Sequence, residues 1–232
     1  MSSNNIILEK ENLETYFSDL GKLLKKKIKN NTYSVELIVV GGASIILNYD
    51  FRGTTVDIDC IDVNGALMNE VVGQIADKYD LPEDWINTDF VKTASYSSSL
   101  IRYSTLYKTY GNGVLSIRTI KGEYLIAMKI MSGRKYKNDY SDIYGIIKWH
   151  KRNNKQITID EVDKAIVELY GSLSKVDKDA YNFTSNVIKE IDSNSLNRIR
   201  EKENVNLNKL KELRQESSVN EETVEKILEK IL

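Results

Sequence analysis

The segment ELIVVGGASIIL, residues 36–47, constrains this chain more than any other. Residues 36–40 are a short, largely apolar and β-branched run, which is the composition of a buried strand. Gly41-Gly42 follows, and residues 43–47 have helical character, so the segment predicts a strand, a tight glycine turn and a helix. A second strand is predicted over residues 54–63, TTVDIDCIDV. Side chains alternate across a strand, which puts Val56, Ile58 and Cys60 on an apolar face and Thr55, Asp57 and Asp59 on an anionic one.

The rest of the chain mixes helix and sheet as far as residue 120. Leu13, Phe17, Leu20, Leu24 and Ile28 recur at helical spacing, as do Leu67, Val71, Ile75 and Tyr79, with the only proline, Pro82, just beyond. Residues 100–110 and 114–120 are β-branched and aromatic runs joined through Gly111-Asn112-Gly113, a hairpin signal. Beyond residue 120 the expectation is helical: 123–131, 139–149, 161–170, 176–191 and 221–232. The charge-dense stretch 194–220 predicts an exposed helix or a loosely held tail. The expected fold is α+β, with an α/β core over residues 1–120 and a helical region over 121–232.

Composition removes several chemistries. One cysteine excludes an intrachain disulfide, and Cys60 with the single His150 cannot supply the Cys/His set of a structural zinc site. A Ser-His or Cys-His catalytic pair has little room, so acid–base or metal chemistry must rest on carboxylates, lysine and tyrosine. No stretch approaches the roughly 20 apolar residues that span a bilayer, and the opening MSSNNIILEKEN has no secretory pattern, so a cytoplasmic protein without a membrane partner is expected. Net charge is −1, but residues 52–89 hold 2 basic and 9 acidic side chains, and residues 121–155 hold 9 basic and 3 acidic. Either these are two solvated faces, or a metal-binding acidic region lies beside a polyanion-binding basic one.

Two features carry chemistry. Carboxylates two apart on a strand project to the same face, so Asp57 and Asp59 could converge on one or two cations. Hard oxygen ligands without histidine favour Mg²⁺ or Mn²⁺ over zinc. Glycines between a strand and a helix let the backbone approach a phosphate and leave free N–H groups at the helix start, where Ser44 could add a hydroxyl. Gly41-Gly42 lacks the third glycine of a dinucleotide fingerprint and the Gly-Lys-Ser/Thr of a P-loop. A polar strand face and a strain-relieving turn are the plainer readings of these features.

Taken together, strand, Gly41-Gly42, helix and the run Arg52-Gly53-Thr54-Thr55-Val56-Asp57-Ile58-Asp59 resemble the opening of the nucleotidyltransferase fold shared with DNA polymerase beta. The chain is more closely similar to the AbiEii-type nucleotidyltransferases of toxin–antitoxin and abortive-infection systems, including the DUF6036 group. Their later motifs, a helical lysine and an arginine-containing stretch ending in Asp-x-x-Asp, match Lys129 in YLIAMKIMSGR and Arg134, Asp139 and Asp142 in RKYKNDYSDI. The resemblance spans residues 35–148, with one extra residue between Arg52 and the Asp-x-Asp motif.

That resemblance implies a mixed sheet flanked by helices, with the helical part completing the site. Asp57 and Asp59 would hold Mg²⁺ or Mn²⁺. Gly41, Gly42, Ser44, Arg52, Thr55, Arg134 and Asp139 would bind an NTP, with Lys129 and Asp142 as further catalytic groups. It also implies nucleotide transfer to a macromolecule such as RNA, with tRNA the leading acceptor, a toxin or phage-defence role, and a cognate antitoxin. A catalytically silent binding module on the same fold, antitoxin-like or partner-binding, is the alternative. A third possibility is partner docking through Val224, Ile227, Leu228 and Ile231.

Each later residue also has a plainer reading. Lys129 could snorkel from an apolar helix, and Asp139 and Asp142 could be an N-cap and its partner. Residues 114–120 carry no acid, although the wider fold usually places a third carboxylate on a later strand; the family pattern suggests Asp142 in that role. Lys129 and Asp142 are 13 positions apart, which would be roughly 220° around one unbroken helix. Residues 132–138 must therefore break the helix if both serve one site.

Overall fold

The computed structural model describes residues 7–28, 34–61, 66–191 and 195–216. The expected helix over 221–232, with its apolar stripe, lies outside them.

The described residues form a mixed five-stranded sheet in the order β3-β2-β1-β5-β4, made of β1 (Val35–Val39), β2 (Ile58–Ile61), β3 (Ile86–Asn87), β4 (Ser104–Tyr110) and β5 (Leu115–Ile120). Strands β1 and β5 run parallel, β1 and β2 antiparallel, and β4 and β5 form the expected hairpin. Helices α1 (Lys10–Lys27) and α3 (Ala66–Tyr79) build one apolar cluster with Val35, Leu37 and Val39 of β1 and with Leu115 and Ile117 of β5. The second cluster takes Ile38 and Ile120 from the sheet, with Val40 just past β1, and packs them with α4 (Gly122–Ser132), α5 (Asp139–Arg152), α6 (Ile159–Tyr170) and α7 (Lys178–Lys189). The parallel pair at the centre is thus covered on both faces, which is why β1 reads as a nearly continuous apolar run rather than an alternating one.

Helix α2 (Gly41–Asn48) starts where β1 ends, and α8 (Ser195–Glu216) closes the described chain. Among the described residues no helix is long and apolar enough to cross a membrane.

Three expectations need correction. The strand expected over 54–63 begins only at Ile58, and Val56, assigned to its apolar face, is 62% exposed. Thr55 instead exchanges both backbone hydrogen bonds with Leu8, which turns Thr55 inward and Val56 outward before the chain enters the sheet. Residues 98–103 form a short 3₁₀ helix rather than the start of β4. Of the charge-dense stretch 194–220, the described part is the helix α8, which is not wholly exposed, because it buries Glu203, Asn206 and Leu210.

Candidate active site

Strand register sets the first half of the site. In the antiparallel β1/β2 pair, Val39 faces Cys60, and the Val40 N–H donates to the Asp59 carbonyl at 2.9 Å. Asp59 is thereby placed beside the first turn of α2. Gly41 has φ +58, and a Cβ there would lie 3.2 Å from Asp59 Oδ2, so the backbone meets the carboxylate where a side chain would crowd it. At Gly42 a Cβ would fall 2.6 Å from Arg52 Nη2 and 2.8 Å from Thr55 Oγ1. The α2 start is therefore walled by Asp59 on one side and by Arg52 and Thr55 on the other. Ser44 does not share this wall. It is fully buried, and its Oγ accepts the Ile120 N–H at 3.1 Å, tying α2 to the end of β5.

Asp57 and Asp59 are both half-buried, and among the described residues neither has an ion-pair partner. Burial pushes the Asp57 carboxyl up; the charges of Lys137 and Arg52 and the Asn87 side chain pull the other way. Asp59 is pushed up to about 6, by burial first and by the Asp57 charge second, against the pull of Arg134, Lys129 and Lys137. Two crowded anions with cations nearby but not on them form a donor set that a hard divalent ion would complete. The residues present fit such an ion.

The second half comes from α4 and α5. Helix α4 ends at Ser132, Gly133 takes φ +58 and donates its N–H to the Lys129 carbonyl, and α5 starts at Asp139. This break brings together the residues that one continuous helix would have pointed apart. Lys129 Nζ lies 2.8 Å from carboxylate oxygens of both Asp139 and Asp142. Asp142 also accepts from Arg52 Nη1 at 2.5 Å, and Asp139 receives the Arg134 Nε at 2.9 Å and its backbone N–H at 3.2 Å. The plainer readings of these residues fail here. Lys129 is buried rather than snorkelling, and Asn138, not Asp139, occupies the N-cap of α5.

Electrostatics follow from that geometry. Burial alone would raise the Asp139 carboxyl, but Lys129 and Arg134 outweigh it and hold the group well below the usual carboxylate range. For Lys129, burial would favour the neutral amine; Asp139 and Asp142 reverse this and keep it charged. The cluster is a row of cations, Arg52, Lys129 and Arg134, held by two acids that are 2% exposed or less.

A further acid, Glu203 of α8, has no motif that announces it in the sequence. It is buried, and its Oε1 accepts the N–H groups of Tyr140 and Ser141 at 3.0 and 3.1 Å.

The family model described as a nucleotidyltransferase of unknown function (DUF6036) matches residues 13–147, more than half of the chain. The chain belongs to this family. Within the DUF6036 match fall Gly41, Gly42, Arg52, Thr55, Asp57, Asp59, Lys129, Arg134, Asp139 and Asp142, whereas α8 lies beyond it. Comparison with curated proteins and with solved structures gave no match.

Proposed function

We propose that this chain is a divalent-metal-dependent nucleotidyltransferase that passes a nucleotide from an NTP to an RNA acceptor, tRNA foremost, as a toxin or defence effector with a cognate antitoxin. The observation that carries the chemistry is the pair Asp57 and Asp59. Both are half-buried and without an ion-pair partner among the described residues, and Asp59 sits against the backbone of Gly41. Mg²⁺ or Mn²⁺ bound by that pair supplies charge neutralisation at the transferring phosphate.

The rest follows from the protein's own side chains. The backbone at Gly41 and Gly42 lets the β- and γ-phosphates approach the start of α2, where the first N–H groups lack helical partners. Arg52, Lys129 and Arg134 oppose the phosphate charge from positions fixed in advance, so little reorganisation is needed when pyrophosphate leaves. An acceptor hydroxyl attacks the α-phosphorus, the bond to the β-phosphate breaks, and the hydroxyl proton passes to solvent. Asp142 is 2% exposed and engaged by two cations, so we assign it to holding Lys129 and Arg52 rather than to taking that proton. Asp139 holds Lys129 and Arg134 in the same way. The basic excess over residues 121–155 supports a polyanionic acceptor.

Incubation with each labelled NTP, Mg²⁺ and total RNA tests the reading: label entering RNA supports it, and none from any NTP refutes it. The alternative is a catalytically silent binding module on the same fold. Calorimetry separates the two, since NTP binding that requires Mg²⁺ favours the enzyme.

A further inference from the structure

Helix α8 lies beyond the family match, yet three of its polar side chains reach three separate segments of the candidate site. Arg200 Nη2 donates to the Phe51 carbonyl at 2.6 Å, next to Arg52. Glu203 Oε1 accepts the Tyr140 and Ser141 N–H groups, between Asp139 and Asp142. Asn206 Nδ2 donates to the Lys135 carbonyl at 2.8 Å, next to Arg134.

Residues three apart on a helix share a face, so Arg200, Glu203 and Asn206 form one polar edge of α8. Apolar side chains would satisfy packing at such positions with no risk of unpaired groups, yet Glu203 and Asn206 are 4% and 3% exposed. Arg200 and Asn206 each end on a backbone carbonyl, and Glu203 takes two backbone N–H groups. Such a bond fixes where the neighbouring charged side chain begins and therefore how far it reaches. Glu203 also does for α5 what its own N-cap does not, because Asn138 makes no side-chain cap bond and the helix starts with unsatisfied N–H groups.

We propose that Arg200, Glu203 and Asn206 are positioning residues that set Arg52, Arg134 and the Asp139/Asp142 pair for the nucleotide phosphates, which makes α8 an integral part of the transfer site. The proposal rests on the nucleotidyltransferase reading above.

The test uses the full chain with Mg²⁺, labelled NTP and RNA, and compares Arg200→Met, Asn206→Leu, Glu203→Met and Glu203→Gln with wild type. Arg200→Met and Glu203→Met are expected to raise the KM for NTP about 10-fold, since misplacing a charged clamp weakens its grip on phosphate. Glu203→Gln keeps the acceptor oxygen and is expected to stay near the wild-type KM. A purely structural role would behave differently: loss of folded protein lowers apparent kcat and leaves KM unchanged. Wild-type KM in both Arg200→Met and Asn206→Leu overturns the positioning role, and these two variants decide the matter if Glu203→Met does not fold. A wild-type chain that transfers no nucleotide removes the underlying reading and this proposal with it, an outcome distinct from an active wild type with unaffected variants.

Discussion

Lys129 is bound by two carboxylates, and each of them is shared with an arginine, Asp139 with Arg134 and Asp142 with Arg52. Removing one member of such a buried set leaves the others uncompensated. Lys129→Met is expected to lower stability by about 3 kcal/mol, read from urea unfolding, and to reduce transfer as well. Asp57→Asn should behave oppositely. It relieves a crowded anion, so the fold should hold while transfer falls on the order of 10³-fold, roughly 4 kcal/mol of transition-state stabilisation. Wild-type rates in that variant would dismiss the metal site. Glu203 gives a pH signature. Burial, reinforced by Asp142, pushes its carboxyl up to about 7 against the pull of the Ser141 and Tyr140 hydrogen bonds. Unfolded, the group titrates near 4.5, so between these values the folded state binds more protons and stability falls as pH rises. The contribution is full below about pH 4.5 and gone above about pH 7. Glu203→Gln should remove this slope and stabilise the protein at pH 8 by up to about 3 kcal/mol, measured as the wild-type-minus-variant difference in urea unfolding at pH 5 and 8.

At the level of elements, the α2 start joins the sheet to the site. Gly41→Ala places a Cβ 3.2 Å from Asp59 Oδ2 on a backbone with φ +58. It should destabilise the protein by about 1–2 kcal/mol in urea unfolding and weaken metal-dependent NTP binding in calorimetry. Strand, glycine turn and helix could be read in advance because each has a local signature: β-branched residues, a pair of glycines and helical spacing. The break between Lys129 and Asp142 was legible for the same reason, since Gly133 marks it and 13 residues of unbroken helix would have separated the two. Val56 was misplaced because the partner that reorients its segment, Leu8, is far away in sequence. Glu203 had no local signature at all. It is one acid in a charge-rich helix, and the N–H groups it satisfies lie 62 and 63 residues earlier. Patterns of short period reveal elements, but a side chain that acts on another element's backbone becomes visible only once the chain has closed.

Across the whole molecule, ligand binding and stability should be linked. If NTP and Mg²⁺ bind the folded chain only, saturation at 100 times Kd adds about 2.7 kcal/mol. The thermal midpoint should then rise by several degrees with both present and little with either alone. The sheet between the two apolar clusters has an optical consequence. Trp85 is buried in the cluster built on α1 and α3, with its indole N–H donating to the Val72 carbonyl, whereas Trp149 packs beside Tyr49 at the edge of the other cluster. Each indole is therefore a separate fluorescent reporter for one side of the sheet. In single-tryptophan versions, made by Trp85→Phe or Trp149→Phe, coincident denaturation curves are expected, because adjacent residues Ile38 and Val39 of one strand serve opposite clusters and neither side can melt without uncovering the other.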